Sequence, residues 1–411
     1  ESATLLLKTF TTGNYRSDSE FSLLYRATVA LLASDIEEFG VLALSEFLTL
    51  VAKLVQEPPT SAVTNENKAA IITGLSGLLM VLHNDSSLYG IDEKIKWLLE
   101  IAEGYEASLS QLTADIDAGD RDHLTFITDE HLDQKMVNEQ QLNANAEASV
   151  AIASLHGVGA LLTLLPSGEY RNELITEMMD KLVPLLDNDS NMEISKAAGR
   201  AIALCYELYK YDFADGESDG EVDDDEEYNY NSPYYEQGHL LSILNRISNL
   251  SLHKVGKKDK KVTSSILRDV SNTITNYTNS TTRTEIYKRL AVGQEIINEQ
   301  MDGTVVKLLK LKTLPINSWF LYIRLIHIKW LFLFGVHSQL IGNSSIRSVL
   351  KEPRSAYLAK YKDATDVGFD SINDDFNLYV HQVDDKTRSK KLKKAREVKI
   401  DAKLDLLTLN D

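Results

Sequence analysis

Cysteine is almost missing from this 411-residue chain, Cys205 being the only one. That excludes a disulfide scaffold and any thiolate-built zinc or iron-sulfur centre. Proline is scarce too, seven in all, which leaves long helices uninterrupted. The nine histidines are scattered, and the closest metal-like pair, His123 and His131, stands eight residues apart in a polar stretch. Long apolar runs are absent but for one, Trp319 to Val336, about one membrane thickness long. Arg324, His327 and Lys329 lie near its middle, where a lipid-facing charge is costly, so a buried helix is the favoured reading and a membrane span the second. Glu1 to Phe10 hold no basic start, apolar core or small-residue cleavage site, so no secretory signal is expected there. Without one, Asn-x-Ser/Thr triplets such as Asn276-Tyr277-Thr278 are expected to be chance.

Catalytic signatures are also lacking. Gly256-Lys257-Lys258 misses the glycine and hydroxyl residue of a phosphate-binding loop. Gly157-Val158-Gly159 sits in an apolar helical run and not after a strand, as a dinucleotide fingerprint requires. Gly74-Leu75-Ser76-Gly77 misses the spacing of a nucleophile elbow. Cys205, within Ala203-Leu204-Cys205-Tyr206, reads as a core residue. Neither an enzyme, a cofactor nor a small-molecule substrate is expected.

What is present is charge, unevenly placed. The whole chain carries −18, which argues against a phosphate-rich partner. Residues 1–250, however, hold 15 Lys+Arg against 43 Asp+Glu, and residues 251–411 hold 28 against 18. An acidic body of −28 is joined to a basic third of +10, an asymmetry that points to a polyanion for the second part. Between them, Asp212 to Glu227 carry ten acidic residues and no basic one. Such a run cannot bury enough apolar surface to offset its ordering entropy and is expected to be a mobile linker, serving solubility or masking the basic part.

Apolar residues recur at helical spacing along most of the chain. Phe21 to Ala33 reads as one helix. The box Ser34-Asp35-Ile36-Glu37 opens a second, which Pro58-Pro59 stops near Gln56. Lys68–His83 and Asp92–Tyr105 form a pair, with the turn Asn84-Asp85-Ser86-Ser87 between them. Residues 110–140 are polar and read as a loop or weakly ordered insertion. Leu142–Leu165 and Glu169–Asp187 are helical, and the box Ser190-Asn191-Met192-Glu193 opens a helix to Tyr211. Helix pairs of this length and order predict an all-α fold, an armadillo/HEAT-like helical-repeat array followed by a smaller basic helical region. The expected division is an acidic helical-repeat domain over 1–211 and an acidic disordered linker over 212–236. A basic helical domain over 237–352, a loop or weakly ordered connector over 353–385 and a basic tail helix over 386–411 follow.

Three basic features could meet RNA. Lys257, Lys258, Lys260 and Lys261 form a cluster read as a turn between a helix over 237–252 and another over 264–275, which bears Arg268. Arg347 lies on a short helix after Gly335, which is expected to end the apolar helix begun by Pro315-Ile316-Asn317-Ser318-Trp319. On that helix, Trp319, Ile323, Ile326, Trp330 and Leu333 make a stripe read as core. Last comes the tail: Lys386, Arg388, Lys390, Lys391, Lys393, Lys394, Arg396 and Lys399 oppose Glu397 alone. A helix charged all round gains little from packing on a core, but can fold in a site walled by phosphates. A nuclear-import patch and a solvated tail are the competing readings.

The basic third resembles the C-terminal half of the interferon-related developmental regulator family. The likeness runs through Leu240–Leu244, Lys257–Lys261 and Arg268-Asp269-Val270, then Ile316–Trp319 with Arg324 and Gly335. It continues in Asn343 with Ile346-Arg347-Ser348-Val349, and in the run Lys386–Lys390. Lys196–Leu204 fits the family's helical-repeat half. Gln339 stands where the family has His, and 353–385 matches poorly. The resemblance implies a non-enzymatic helical-repeat protein that binds idle cytosolic ribosomes, contacting rRNA and ribosomal proteins. Its body would occupy tRNA sites, with the basic tail in the mRNA path. It also implies a second activity, nuclear transcriptional co-regulation through protein partners on the repeats. A cytoplasmic location, with the nucleus second, follows from it.

Overall fold

The computed structural model describes residues 2–13, 15–60, 63–84, 90–118, 130–188, 191–211, 231–254, 257–291, 304–307 and 313–350. Helix α1 (Ser2–Thr11) precedes α2 (Asp18–Ser34), whose N-cap Ser17 accepts from the Glu20 N–H at 3.1 Å. Helix α3 (Ile36–Leu42) starts one residue later than the expected box, at Asp35. Asp35 is extended and its carboxylate accepts from the Glu38 N–H at 3.1 Å, whereas Ser34 is still helical and its hydroxyl donates to Leu31 O. A carboxylate there meets both an orphan donor and the positive helix end. A π-helical turn, Ala43–Phe47, leads into α4 (Leu48–Gln56). Glu57, the residue before proline, takes φ −68° and ψ 150°, and that extended geometry ends the helix.

The array proper comprises α5 (Asn65–Leu82), α6 (Ile91–Ala118), α7 (Glu130–Leu162), α8 (Glu169–Leu186), α9 (Met192–Leu208), α10 (Gln237–Lys254) and α11 (Lys257–Thr278). Sequence neighbours pack as pairs, α6 on α7, α8 on α9 and α10 on α11. The odd-numbered helices also stack in series, α5 on α7, α7 on α9 and α9 on α11. Each pair thereby rests on the next, which is the logic of a helical-repeat array, and the all-α class holds. Residues 110–140 depart from expectation: α6 runs on to Ala118 and α7 already begins at Glu130, while 119–129 lie outside the described residues. Their polar residues give no apolar stripe, yet Glu, Gln, Leu, Lys and Ala are good helix formers. Helix α9 also opens one residue late, on Asn191, whose Oδ1 accepts from the Glu193 and Ile194 N–H groups at 2.9 and 3.4 Å.

Helix α12 (Ser280–Ala291) follows α11. A two-stranded antiparallel hairpin, unexpected from the sequence, pairs β1 (Thr304–Lys307) with β2 (Thr313–Ile316) and sets Val305 opposite Pro315. Both strands are edges, where a proline's missing N–H is tolerated.

The chain then returns to the array as α13 (Trp319–Phe332), followed by α14 (Val336–Gly342) and α15 (Ser344–Val349). Helix α13 lies across α2, α5, α7 and α9. Trp319 and Ile323 of its expected stripe are buried, but so are Phe320, Leu321, Leu325, Ile328 and Leu331 on its other sides. By length and composition Trp319–Gly342 could cross a membrane. Helix α13 alone, at 14 residues, spans only about 21 Å, and Arg324 and His327 are 3% and 0% exposed inside the protein. The helix ends at Phe332 and not at Gly335: Leu333 has φ 45°, and Leu333–Gly335 form a 3-10 turn. Leu333 is half in solvent, so burial does not reward another helical turn.

The glycine pairs that lacked catalytic spacing are packing devices. A Cβ on Gly74 would lie 2.5 Å from Tyr25 Oη and 2.9 Å from the Trp330 ring, and one on Gly157 would lie 2.5 Å from Ser76 Oγ. Helices α2, α5, α7 and α13 approach closely because these side chains are absent.

Helices from both sides of the acidic run form one compact unit, and the hairpin is assigned to another. The change of charge sign is therefore no break in packing. The described structure does not include the acidic run from residue 212, the connector over 353–385 or the tail over 386–411.

Candidate nucleic-acid interface

A basic side chain can bind phosphate only if the fold has not already committed it. Several cations of this protein are committed to helix C-termini, where unpaired carbonyls and the negative end of the helix dipole await them. Arg324 is the most complete case. Its Nε donates to Thr163 Oγ1 at 2.9 Å and its Nη2 to Thr163 O at 3.1 Å. Its Nη1 donates to Asn84 Oδ1 at 2.6 Å and Val349 O at 2.9 Å, while the guanidinium lies 4.2 Å from the Phe320 ring centroid. One buried arginine thus ties the ends of α5, α7 and α15 to α13. Arg283 donates to Tyr277 O at the end of α11 and stacks 4.1 Å over Tyr211. Arg171 bridges Leu165 O and Leu208 O, and burial pulls its pKa down to about 10. Lys68 serves Val55 O and Glu57 O at the end of α4.

Arg347, expected at the RNA surface, follows this pattern. It lies half-buried on α15, and its Nη1 donates to Ile341 O at 2.6 Å at the end of α14. Asn343 caps α15 through Ile346 N–H and donates from Nδ2 to Ser34 O and Gln339 Oε1 at 2.7 and 3.0 Å. Gln339, where the resembling family has His, therefore belongs to this joint. Trp319 is fastened likewise: its indole N–H donates to Thr273 Oγ1 at 2.7 Å. The Glu207 carboxylate caps the start of α13, accepting from the Trp319 and Phe320 N–H groups at 2.8 and 2.9 Å.

Helix α11 is different. It begins at Lys257, so Lys257, Lys258, Lys260 and Lys261 occupy its first turns and are not a turn between helices. Cations there oppose the helix dipole, so local helix energetics do not account for the cluster. Arg268 stands on the same helix with its side chain 59% exposed, within 4.0 Å of Asp269 and 3.4 Å of Ser265 Oγ. Ser264, Arg268 and Ser271 recur at spacings of four and three and share one face. Between this face and α10 runs a cleft of about 250 Å³ lined by Leu244, Asn245, Ser248, Ser264, Leu267, Arg268, Ser271 and Asn272. Sequence reasoning found the cations here but missed the serines and asparagines, whose signal was their helical spacing alone. The remaining RNA-binding candidates, Lys386 to Lys399, lie outside the described residues.

Two buried histidines and the cysteine are held in their neutral forms. His327, wholly buried with Nδ1 3.0 Å from Ile323 O, has its pKa pulled down by burial to about 4. Burial, aided by Arg200 and His327, takes His156 to about 3. Cys205 is fully buried and its thiol is pushed up to about 12 by desolvation, the state of an inert core thiol. Among the described residues no group of three His, Cys, Asp or Glu side chains could hold a metal ion.

Fold and site together define a class: an all-α helical-repeat protein with, among the described residues, a polar cleft between α10 and α11. Within that class, residues 124–275 match the model of the interferon-related developmental regulator (IFRD) family. The match ends within α11, so it straddles the charge boundary and takes in both the lysine cluster and Arg268. No curated protein matches the chain.

Proposed function

We propose that this protein is a stoichiometric, non-catalytic ribosome-binding factor of the cytoplasm that keeps idle ribosomes from translating. Its helical body blocks tRNA sites and its basic tail competes with mRNA for a phosphate-lined channel. The observation that carries this reading is the division of charge, −28 over residues 1–250 and +10 over 251–411, in a chain that matches the IFRD model over residues 124–275. An acidic body is repelled by bulk rRNA, so docking is restricted to poses in which basic segments meet RNA, a gain in specificity through repulsion. The reading as a nuclear co-regulator scaffold is less favoured, because α13 of the same chain already lies across α5, α7 and α9.

Co-sedimentation with purified ribosomes at low and moderate salt tests the proposal. Association at low salt that weakens steeply as salt rises is the expected result. Failure to co-sediment even at low salt removes it, and a predominantly nuclear protein that avoids the ribosomal fractions of a lysate gradient favours the scaffold instead.

A further inference from the structure

The turn that ends α13 carries a strain that neither packing nor the tail mechanism explains. Leu333 takes φ 45° and ψ −120°, and among the described residues it is the one non-glycine with positive φ. That backbone suits glycine and is strained under a branched side chain. The core does not repay the strain, because Leu333 is 51% exposed and Phe334, next in the chain, is wholly exposed. What the turn achieves is the display of one aromatic ring with its flat faces in solvent.

The surroundings are cationic. Between Asp302 and Glu352 the chain holds no Asp or Glu, although 61 of its 411 residues are acidic. The Leu333 N–H donates to Lys329 O, so the turn sits directly on the last helical turn of α13, where Lys329 is exposed. Trp330, on that same turn, has the Arg26 guanidinium 4.8 Å from its ring centroid. The Arg26 Nε has no hydrogen-bond partner, and among the described residues no carboxylate pairs with Arg26 or Lys329. The Glu207 carboxylate lies at the opposite end of α13, bound to the Trp319 and Phe320 N–H groups.

Size decides which polyanion fits. Over α13 to α15 the exposed large apolar residues are Leu333, Phe334 and Ile341. Three such side chains fall well short of the roughly 800 Å² per partner of a stable protein–protein interface. A base needs only one accessible ring, and its neighbouring phosphate needs only one cation. We propose that the Leu333–Phe334 turn is a contact for unpaired RNA, separate from the tail, with Phe334 stacked on one base and Lys329 on the adjoining phosphate. The proposal rests on RNA being the partner of the basic third, but not on the ribosome being its source.

The test uses the full chain, a labelled twelve-nucleotide oligoadenylate and an abasic strand of the same length, with fluorescence anisotropy across a salt series. Phe334→Ala and Phe334→Leu, at a wholly exposed position, leave the fold intact. Each is expected to weaken oligoadenylate binding at least about fivefold, the low end of base stacking, with little effect on the abasic strand. The leucine variant separates a flat ring from mere apolarity. Lys329→Gln is expected to weaken both strands and to flatten the slope of log K against log salt by about 0.7, one single-strand phosphate contact. Phe334→Trp keeps a ring and is expected to bind as the native chain does. Its added indole emission should be quenched by oligoadenylate and not by the abasic strand, which reads this position whatever the tail binds. An unquenched indole overturns the contact, as do equal losses for both strands in Phe334→Ala or an absence of binding at low salt. Self-association that disappears in Phe334→Ala while RNA binding stays unchanged assigns the ring to a contact between copies of the chain and overturns it too. Base-dependent quenching in a protein that does not co-sediment with ribosomes keeps the contact and removes the ribosome reading. Ribosome association with an unquenched indole does the reverse.

Discussion

Helices α11 and α13 both come from the basic third, yet they use arginine in opposite ways. On α13, Arg324 is 3% exposed and its guanidinium joins three other segments. On α11, Arg268 projects from the rim of a polar cleft. Composition cannot separate the two. The difference teaches that a basic region is not an interface throughout: part of its charge holds the fold together, and only the remainder can meet a polyanion. Trp319, Arg324, Asn343 and Arg347, all residues that carried the family likeness, turn out to fasten α13 to α15 onto the array.

The comparison is broken most severely at Arg324. Arg324→Ala leaves Thr163 O, Val349 O and Asn84 without their donor, and each buried group so orphaned costs about 1–3 kcal/mol. Urea denaturation should show a loss of about 3 kcal/mol or more, and Arg324→Lys should recover little, because an ammonium cannot reproduce the fork. Acid should act next, through His327. Its folded pKa is depressed from 6.5 to about 4, so the unfolded chain binds the proton first. The stabilisation is whole above pH 6.5 and is lost as pH falls toward 4, at about 1.4 kcal/mol per unit. His327→Asn should flatten that part of the stability profile. Gly157→Ala, which forces a methyl toward Ser76 Oγ and Leu98, should cost about 1–3 kcal/mol in the same assay. Glu207→Gln weakens the cap on α13 and should cost about 1 kcal/mol. Arg268→Gln should shift stability by less than about 0.5 kcal/mol while changing RNA binding, which is the sharpest contrast with Arg324.

Much of the fold was legible because helices announce themselves locally. The stop at Pro58 and the helices around Phe21, Lys68 and Glu169 needed only periodicity and breakers. Each capping box was misplaced by one residue because two capping residues stand side by side, Ser34 with Asp35 and Ser190 with Asn191. Backbone geometry chose the second each time. The far ends of α6 and the start of α7 carry no apolar stripe, and Pro315 obscured the second strand of the hairpin. The Arg324 node was illegible in principle: its partners Thr163 and Asn84 lie 161 and 240 residues away in sequence. At the candidate site the cations could be read, but the cleft between α10 and α11 could not, because it exists only once two helices pack.

The proposal that most needs testing is that the basic third binds RNA chiefly through the tail over 386–411. The most direct measurement is the affinity of the full chain, and of a variant lacking Lys386 to Asp411, for purified ribosomes across a salt series. The account predicts a slope of log K against log salt near −3.5 to −4.5 from about five tail–phosphate contacts, and a large loss of both affinity and slope in the shortened variant. Equal affinity and equal slope for the two proteins would contradict it.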